Sequence, residues 1–277
     1  MTERSTHEGL AYGACGTGPT VVAVHGGLGL DHHYLEPLIT DWSEFARVIW
    51  FDVRGNGASA APEDWESVTL GTLADDIDAI RDATGTERVF LYGHSYGGFL
   101  ALTYALRYPE RLDGLMLAST AAHLGHPPNI PPDAPQSAVE AFSSLFEAPM
   151  PSDEQWEHTW RAAFPLYAPE LDATAAERAN EKTVFRAAAW NRGLALLADY
   201  DVSGRLSEIA TPTLLLSGAK DFITGTPAHE EMCAAIPKAE LEVFEEAGHF
   251  PFLTAPREYR TAARTWLERQ PEPPVLD

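Results

Sequence analysis

Over the first 119 residues, short apolar runs alternate with segments whose apolar residues recur at helical spacing. Thr20 to Val24, Arg47 to Phe51, Arg88 to Tyr92 and Leu112 to Ser119 are rich in β-branched, aliphatic and aromatic side chains, which predicts short strands buried on both faces. Between them, Leu70, Leu73, Ile77 and Ile80 mark one face of a helix, and Asp75, Asp76 and Asp78 are expected on its solvated side. Gly97 to Tyr108 is a mostly apolar stretch of helical length, ended by Pro109. Strands alternating with helices predict an α/β fold with a mostly parallel sheet covered by helices on both faces.

The alternation stops after Ser119. His123 to Gln136 is a Pro-rich loop, and the segments from Ser137 to Leu197 read as helices with no strand between them. Aromatic residues concentrate there: Phe142, Phe146, Trp156, Trp160, Phe164, Tyr167, Phe185 and Trp190. Most of these rings are expected to pack the helices together, and the remainder to line a largely apolar pocket. Strand and helix order resumes with Thr213 to Ser217 and Leu241 to Phe244. A last helix starts near Pro256 and buries Tyr259, Ala263, Trp266 and Leu267. The expected organisation is a core of residues 1–119 and 206–270, a helical cap insertion at 120–205, and a disordered tail at 271–277.

Candidate chemistry sits at the ends of the apolar runs. Leu91-Tyr-Gly-His-Ser-Tyr-Gly-Gly98 contains a G-x-S-x-G pentapeptide between a strand and a helix. A serine on such a sharp turn holds its hydroxyl out into a cleft, above a helix N-terminus that favours negative charge. Ser95 is therefore the candidate nucleophile. It needs a general base oriented by a third group, in the chain order Ser, acid, His. Asp221 follows the strand ending at Ser217, and His249 follows the strand ending at Phe244, so both fall in loops at strand C-termini. Glu245 and Glu246 are rival acids, expected to be solvated at the strand end. An oxyanion needs two donors. The backbone N–H of Tyr96 is one candidate, and Gly27 in the loop His25-Gly-Gly-Leu-Gly29 is the other.

Together with Asp52-Val-Arg-Gly-Asn-Gly-Ala-Ser59, these stretches resemble the α/β-hydrolase fold, and most nearly its proline iminopeptidase-like branch, over roughly residues 8 to 270. The resemblance implies a Ser95–His249–Asp221 triad and a helical cap over it. It leaves the substrate open, because this fold hosts many chemistries. Iminopeptidases of this kind hold the substrate's α-ammonium with carboxylates. Here Phe222 follows Asp221, and Ala189-Trp190-Asn191-Arg192 carries no acid. Glu177 and Glu181 are the remaining candidates for that role. Leu28, Phe222, Trp190, Phe146 and Trp160 are expected to line a pocket for an apolar, uncharged acyl group.

The expected function is thus a cofactor-independent serine hydrolase acting on a small, mostly apolar ester, amide or lactone. The alternatives are a proline iminopeptidase-type aminopeptidase, an acyltransferase or cyclase, and a non-catalytic ligand-binding homologue. Among the ten histidines, His32, His33, His123 and His126 match no common ligand spacing, so no metal is expected. His25 and His94 are expected to be structural, His229 to lie on the surface, and Asp52 and Arg54 to brace the neighbouring loops.

Composition narrows the setting. A formal charge of −22, from 41 acidic and 19 basic residues, argues against nucleic acid and anionic membranes as partners and leaves a small molecule as the expected one. No apolar stretch is long enough to span a bilayer, the first residues carry no signal-peptide pattern, and two cysteines make no disulfide framework. A cytoplasmic enzyme is the expectation.

Overall fold

In the computed structural model, which describes residues 3–271, the strands are β1 (Glu3–His7), β2 (Leu10–Cys15), β3 (Thr20–Val24), β4 (Arg47–Phe51), β5 (Val89–His94), β6 (Leu112–Ala118), β7 (Thr213–Gly218) and β8 (Ala239–Phe244). They form one open sheet in the order β1-β2-β4-β3-β5-β6-β7-β8. From β4 to β8 every pair is parallel, while β1–β2 and β2–β4 are antiparallel. β5 and β7 are buried along their whole length, as their continuous apolar runs require of strands covered on two faces. The antiparallel hairpin at the N-terminus has no counterpart in the sequence expectations. The alanines and glycine of β2, with a burial pattern that repeats every third residue, do not read as a strand.

The helices are α1 (Glu36–Trp42), α2 (Leu70–Ala83), α3 (Tyr96–Arg107), α4 (Gln136–Ser144), α5 (Asp153–Tyr167), α6 (Ala173–Asn180), α7 (Ala187–Leu197), α8 (Thr226–Ala235), α9 (Pro251–Thr254) and α10 (Pro256–Glu268). A reciprocal Thr69–Thr72 capping box starts α2, and Leu73, Ile77 and Ile80 are buried on its inner face. Asp76 corrects the expectation of a solvated acidic side. It is buried at 4% exposure and receives the Arg54 guanidinium, with Nε at 2.9 Å from Oδ2. Asp78 binds Arg81 and the Tyr104 hydroxyl, so this row ties α2 to its neighbours. The buried set on α10, Tyr259, Ala263, Trp266 and Leu267, is the expected one.

Between β6 and β7, helices α4 to α7 follow one another with no strand among the described residues. This insertion docks through specific polar contacts. Gly29 C=O accepts from Arg186 N–H at 2.8 Å and from the Trp156 indole at 3.1 Å. Arg192 donates to the Val68 carbonyl. Residues 272–277, most of the expected tail, lie outside the described residues.

The parallel strands bring their C-terminal ends to one edge, where Val24 pairs with Gly93 and Gly93 with Leu117. Close backbone approach there depends on Gly97, where an added Cβ would collide with the carbonyl oxygens of Val24 and His25. Gly97→Ala is therefore expected to cost about 1–3 kcal/mol, since backbone rather than a side-chain tip must move. Gly204→Ala, with open space around the new methyl, should change stability by less than about 0.5 kcal/mol. Urea unfolding of the two variants checks this; equal midpoints would contradict it.

Candidate active site

Ser95, Asp221 and His249 each follow the C-terminal end of a strand, β5, β7 and β8 respectively. Ser95 caps α3 with a positive φ of 52° and a ψ of −117°, a conformation that non-glycine residues rarely adopt. Its N–H donates to Ala118 C=O at 2.9 Å, and its own C=O accepts from the Thr120 hydroxyl at 2.9 Å, so the turn is held from β6. No side-chain bond caps the helix at Ser95, whose side chain faces a cavity of about 350 Å³.

Asp221 follows β7 and is buried. Its Oδ1 accepts from the N–H groups of Ile223 (3.0 Å) and Thr224 (3.2 Å), and its Oδ2 from the Thr224 hydroxyl at 2.8 Å. Oδ2 also lies 2.9 Å from Nδ1 of His249. Burial pushes this carboxyl up, but the imidazole and the three donors outweigh it and hold the group well below the usual carboxylate range. An ionised Asp221 fixes the His249 proton on Nδ1, leaving Nε2 as the basic atom. His249 and Ser95 line the same cavity. Glu245 and Glu246 are exposed, and Glu246 pairs with Lys220.

Gly27 and Tyr96 flank Ser95 in the cavity wall. Gly27 takes φ 67°, a conformation that glycine adopts freely. Leu28, Phe146, Trp160 and Trp190 also line the cavity, as expected from sequence. Phe222 does not. Its ring packs beneath the wall against Phe142 and Tyr167, and Ile223 and Thr224 face the cavity instead. A further correction concerns the aromatic cluster: six of its eight rings line the cavity, and only Phe164 and Phe185 do not. Trp156, Trp160 and Tyr167 fall on one stripe of α5 that lines the cavity and also meets the neighbouring helices, Trp156 against Trp190 of α7, Trp160 donating to Asn180 of α6 and Tyr167 against Phe142 of α4.

Several residues at the site escaped sequence reasoning. Tyr167 C=O accepts the His249 N–H at 2.9 Å, so the inserted helices hold the imidazole-bearing loop directly. His229 is fully buried, not on the surface. Its Nε2 accepts from Thr120 N–H (3.4 Å) and its Nδ1 donates to Gly225 C=O (3.3 Å), which joins the serine turn to the Asp221 turn. A buried histidine on α8 gives no sequence signal apart from its apolar neighbours. Asp52 accepts from His32 Nδ1 at 2.6 Å and from Ala58 N–H, bracing the loop after β4; burial raises its carboxyl, and the His32 contact brings it down to about 2.

Two side-chain clusters have the composition of a metal site. In one, His33 and His32 are each hydrogen-bonded to a carboxylate, of Asp31 and Asp52. In the other, His123 and His126 face Glu231 at 2.8–3.1 Å. There Gly125 N–H donates to His123 Nδ1 at 2.8 Å, which puts the ring proton on Nε2, the nitrogen that faces Glu231. A protonated ring nitrogen is a donor to a carboxylate and not a ligand.

The sequence pattern of the alpha/beta hydrolase fold family matches residues 19–256. The chain belongs to the α/β-hydrolase fold family. Within it, this hydrolase is proline iminopeptidase-like. It is 31% identical over 254 residues to a proline iminopeptidase of Pestalotiopsis fici, covering 87% of this chain and 89% of that one. It is 29% identical over 276 residues to a proline iminopeptidase of Lactobacillus helveticus, covering 92% and 91%. A solved thermophilic esterase from Thermogutta terrifontis superposes with a TM-score of 0.74 at 26% identity, over 97% of this chain and 98% of that one.

Burial brings His229 down to about 4 and His94, at 1% exposure, down to about 3. The unfolded chain takes up these protons near 6.5, so it binds more protons than the folded hydrolase as pH falls below that value. Stability should then decrease from pH 6.5 toward pH 4, by about 1.4 kcal/mol per unit for each histidine. Urea midpoints at several pH values test this. A profile flat down to pH 4.5, or an unchanged slope in His229→Gln, would contradict it.

Proposed function

We propose that this hydrolase cleaves a small, uncharged, mostly apolar ester, amide or lactone through an acyl-enzyme on Ser95. The Ser95 hydroxyl attacks the carbonyl carbon while His249 Nε2 takes its proton. Asp221 keeps the imidazole in the required tautomer and stabilises the imidazolium. The N–H groups of Gly27 and Tyr96 receive the oxyanion. Collapse of the tetrahedral intermediate expels the leaving group, which takes the proton from His249. Water then attacks the acyl-enzyme by the reverse proton route and frees Ser95. Residues 120–205 act as the cap that closes the cavity.

The observation that carries the substrate class is the cavity lining. Its wall is built from Leu28, Phe142, Trp156, Trp160, Trp190, Leu194 and similar side chains, and contains no Asp, Glu, Lys or Arg among the described residues. An ammonium group entering this space loses its hydration and meets no carboxylate in the lining, whose ionisable side chains besides tyrosine are the imidazoles of His94, His123, His126 and His249.

A second reading, release of N-terminal proline, is favoured by the names of the relatives. Its substrate brings an ammonium group. Glu177 is bound to Arg161 at 2.9 Å and is mostly exposed, and neither Glu177 nor Glu181 lines the cavity. The neutral-substrate reading fits these positions better.

The test compares kcat/KM for an uncharged short-chain aryl ester with that for L-prolyl and L-alanyl arylamides, using Ser95→Ala as the blank. The ester should win by more than roughly 100-fold, and Ser95→Ala should lose about 10³-fold or more. Faster turnover of the prolyl arylamide would overturn the substrate class, and an active Ser95→Ala would overturn the nucleophile.

A further inference from the structure

Three aromatic side chains outside the triad form a hydrogen-bonded path whose donor directions are all determined. Gly26 N–H can only donate, and it donates to the Tyr34 hydroxyl oxygen. The other end of the path fixes the rest: the His249 carbonyl can only accept, so Nε2 of the neutral His94 ring carries the proton and donates to it at 2.9 Å. Nδ1 of His94 is then an acceptor, and the Tyr34 O–H donates to it at 2.9 Å. Burial keeps His94 neutral, as its pKa of about 3 requires.

His25 completes the arrangement from the other side. Its Nε2 accepts from Val53 N–H at 3.0 Å, so its Nδ1 carries the proton and donates to Gly26 C=O at 2.8 Å. The Gly26 carbonyl and the Gly27 N–H belong to one planar trans peptide and point in opposite directions. Holding that carbonyl therefore aims the Gly27 N–H. Tyr34 and His94 are buried at 6% and 1% exposure, and both abut the cavity beside Ser95.

We propose that Tyr34 and His94, with His25, are positioning residues that set the Gly27 oxyanion donor and the His249 imidazole in register with Ser95. The path runs from the loop after β3, across the residue preceding the nucleophile, to the backbone of the proton-transfer histidine. It gives Gly26 N–H a fixed partner and leaves the oxyanion role on that loop to Gly27. The proposal rests on the acyl-enzyme reading above, because it assigns geometry to that reaction.

The test measures covalent labelling of Ser95 by an alkyl fluorophosphonate, resolved into the maximal rate and the half-saturating concentration. Labelling needs the nucleophile, the base and the oxyanion donors, but no natural substrate. In Tyr34→Phe the maximal rate should fall roughly 10–100-fold, the scale of a small misplacement of reacting groups. The half-saturating concentration should stay within about two-fold, because the cavity wall is retained. His94→Gln, which offers an acceptor and a donor like the imidazole, should label faster than His94→Phe by roughly 10-fold. This pair decides the matter if Tyr34→Phe does not fold. Folded variants that label at the wild-type rate, or that change only in half-saturation, overturn the proposal. A wild-type protein that the reagent does not label at Ser95 overturns the hydrolase reading, and this proposal with it.

Discussion

The conformation of Ser95 is the constraint around which the site is organised. A non-glycine residue at φ 52° is strained and persists only where its surroundings over-determine it. Here they do so through bonds from Ser95 N–H to Ala118 and from Thr120 to Ser95 C=O, with α3 starting immediately afterwards. The turn also requires bare backbone at Gly97, so that α3 can pass against the end of β3. That contact places the loop of Gly26 and Gly27 beside the serine. The same sheet edge delivers Asp221 from β7 and His249 from β8. A strained turn, a close helix and a glycine-bearing loop are thus one packing solution.

Around that turn the protein separates charge from neutrality by burial and partners. Asp221 is buried yet ionised, because His249, Thr224 and two backbone N–H groups all favour its charged form. His94 and His229 are buried without a carboxylate partner, and burial keeps them neutral. In each of them one nitrogen accepts and the other donates, so each joins two loops that only the folded chain brings together. The inserted helices join the same network where Tyr167 C=O holds His249 N–H. A residue that shapes the cavity is therefore bonded directly to the loop that carries the imidazole. A substitution on α5 can change rate as well as affinity.

Much of this was legible in the chain because the informative signals are local. The pentapeptide around Ser95, the strands ahead of Asp221 and His249, and the glycine pair after His25 each carry their own context. The fold class followed from periodicity, and the run of helices α4 to α7 from the place where the alternation stopped. What stayed hidden was direction. Phe222 follows Asp221, but a bend of the chain turns its ring into the packing beneath the cavity. Asp76 reads as a surface acid until Arg54, 22 positions away, is folded onto it. Tyr34 and His94 are 60 residues apart, and nothing in either segment announces a shared hydrogen bond. The aromatic rings of the insertion were recognisable as a cluster, but which face of α5 met the cavity depended on how that helix docks.

The central claim is that Ser95 carries the acyl group of a neutral substrate during turnover. The direct measurement is an acid quench during steady-state turnover of an uncharged aryl ester, followed by intact mass and peptide mapping. The account predicts a mass increase equal to the acyl group, located on the peptide containing Ser95 and lost when the substrate is exhausted. An acyl group on another residue, or turnover with no covalent species on Ser95 even after rapid quenching of the first catalytic cycle, would contradict it.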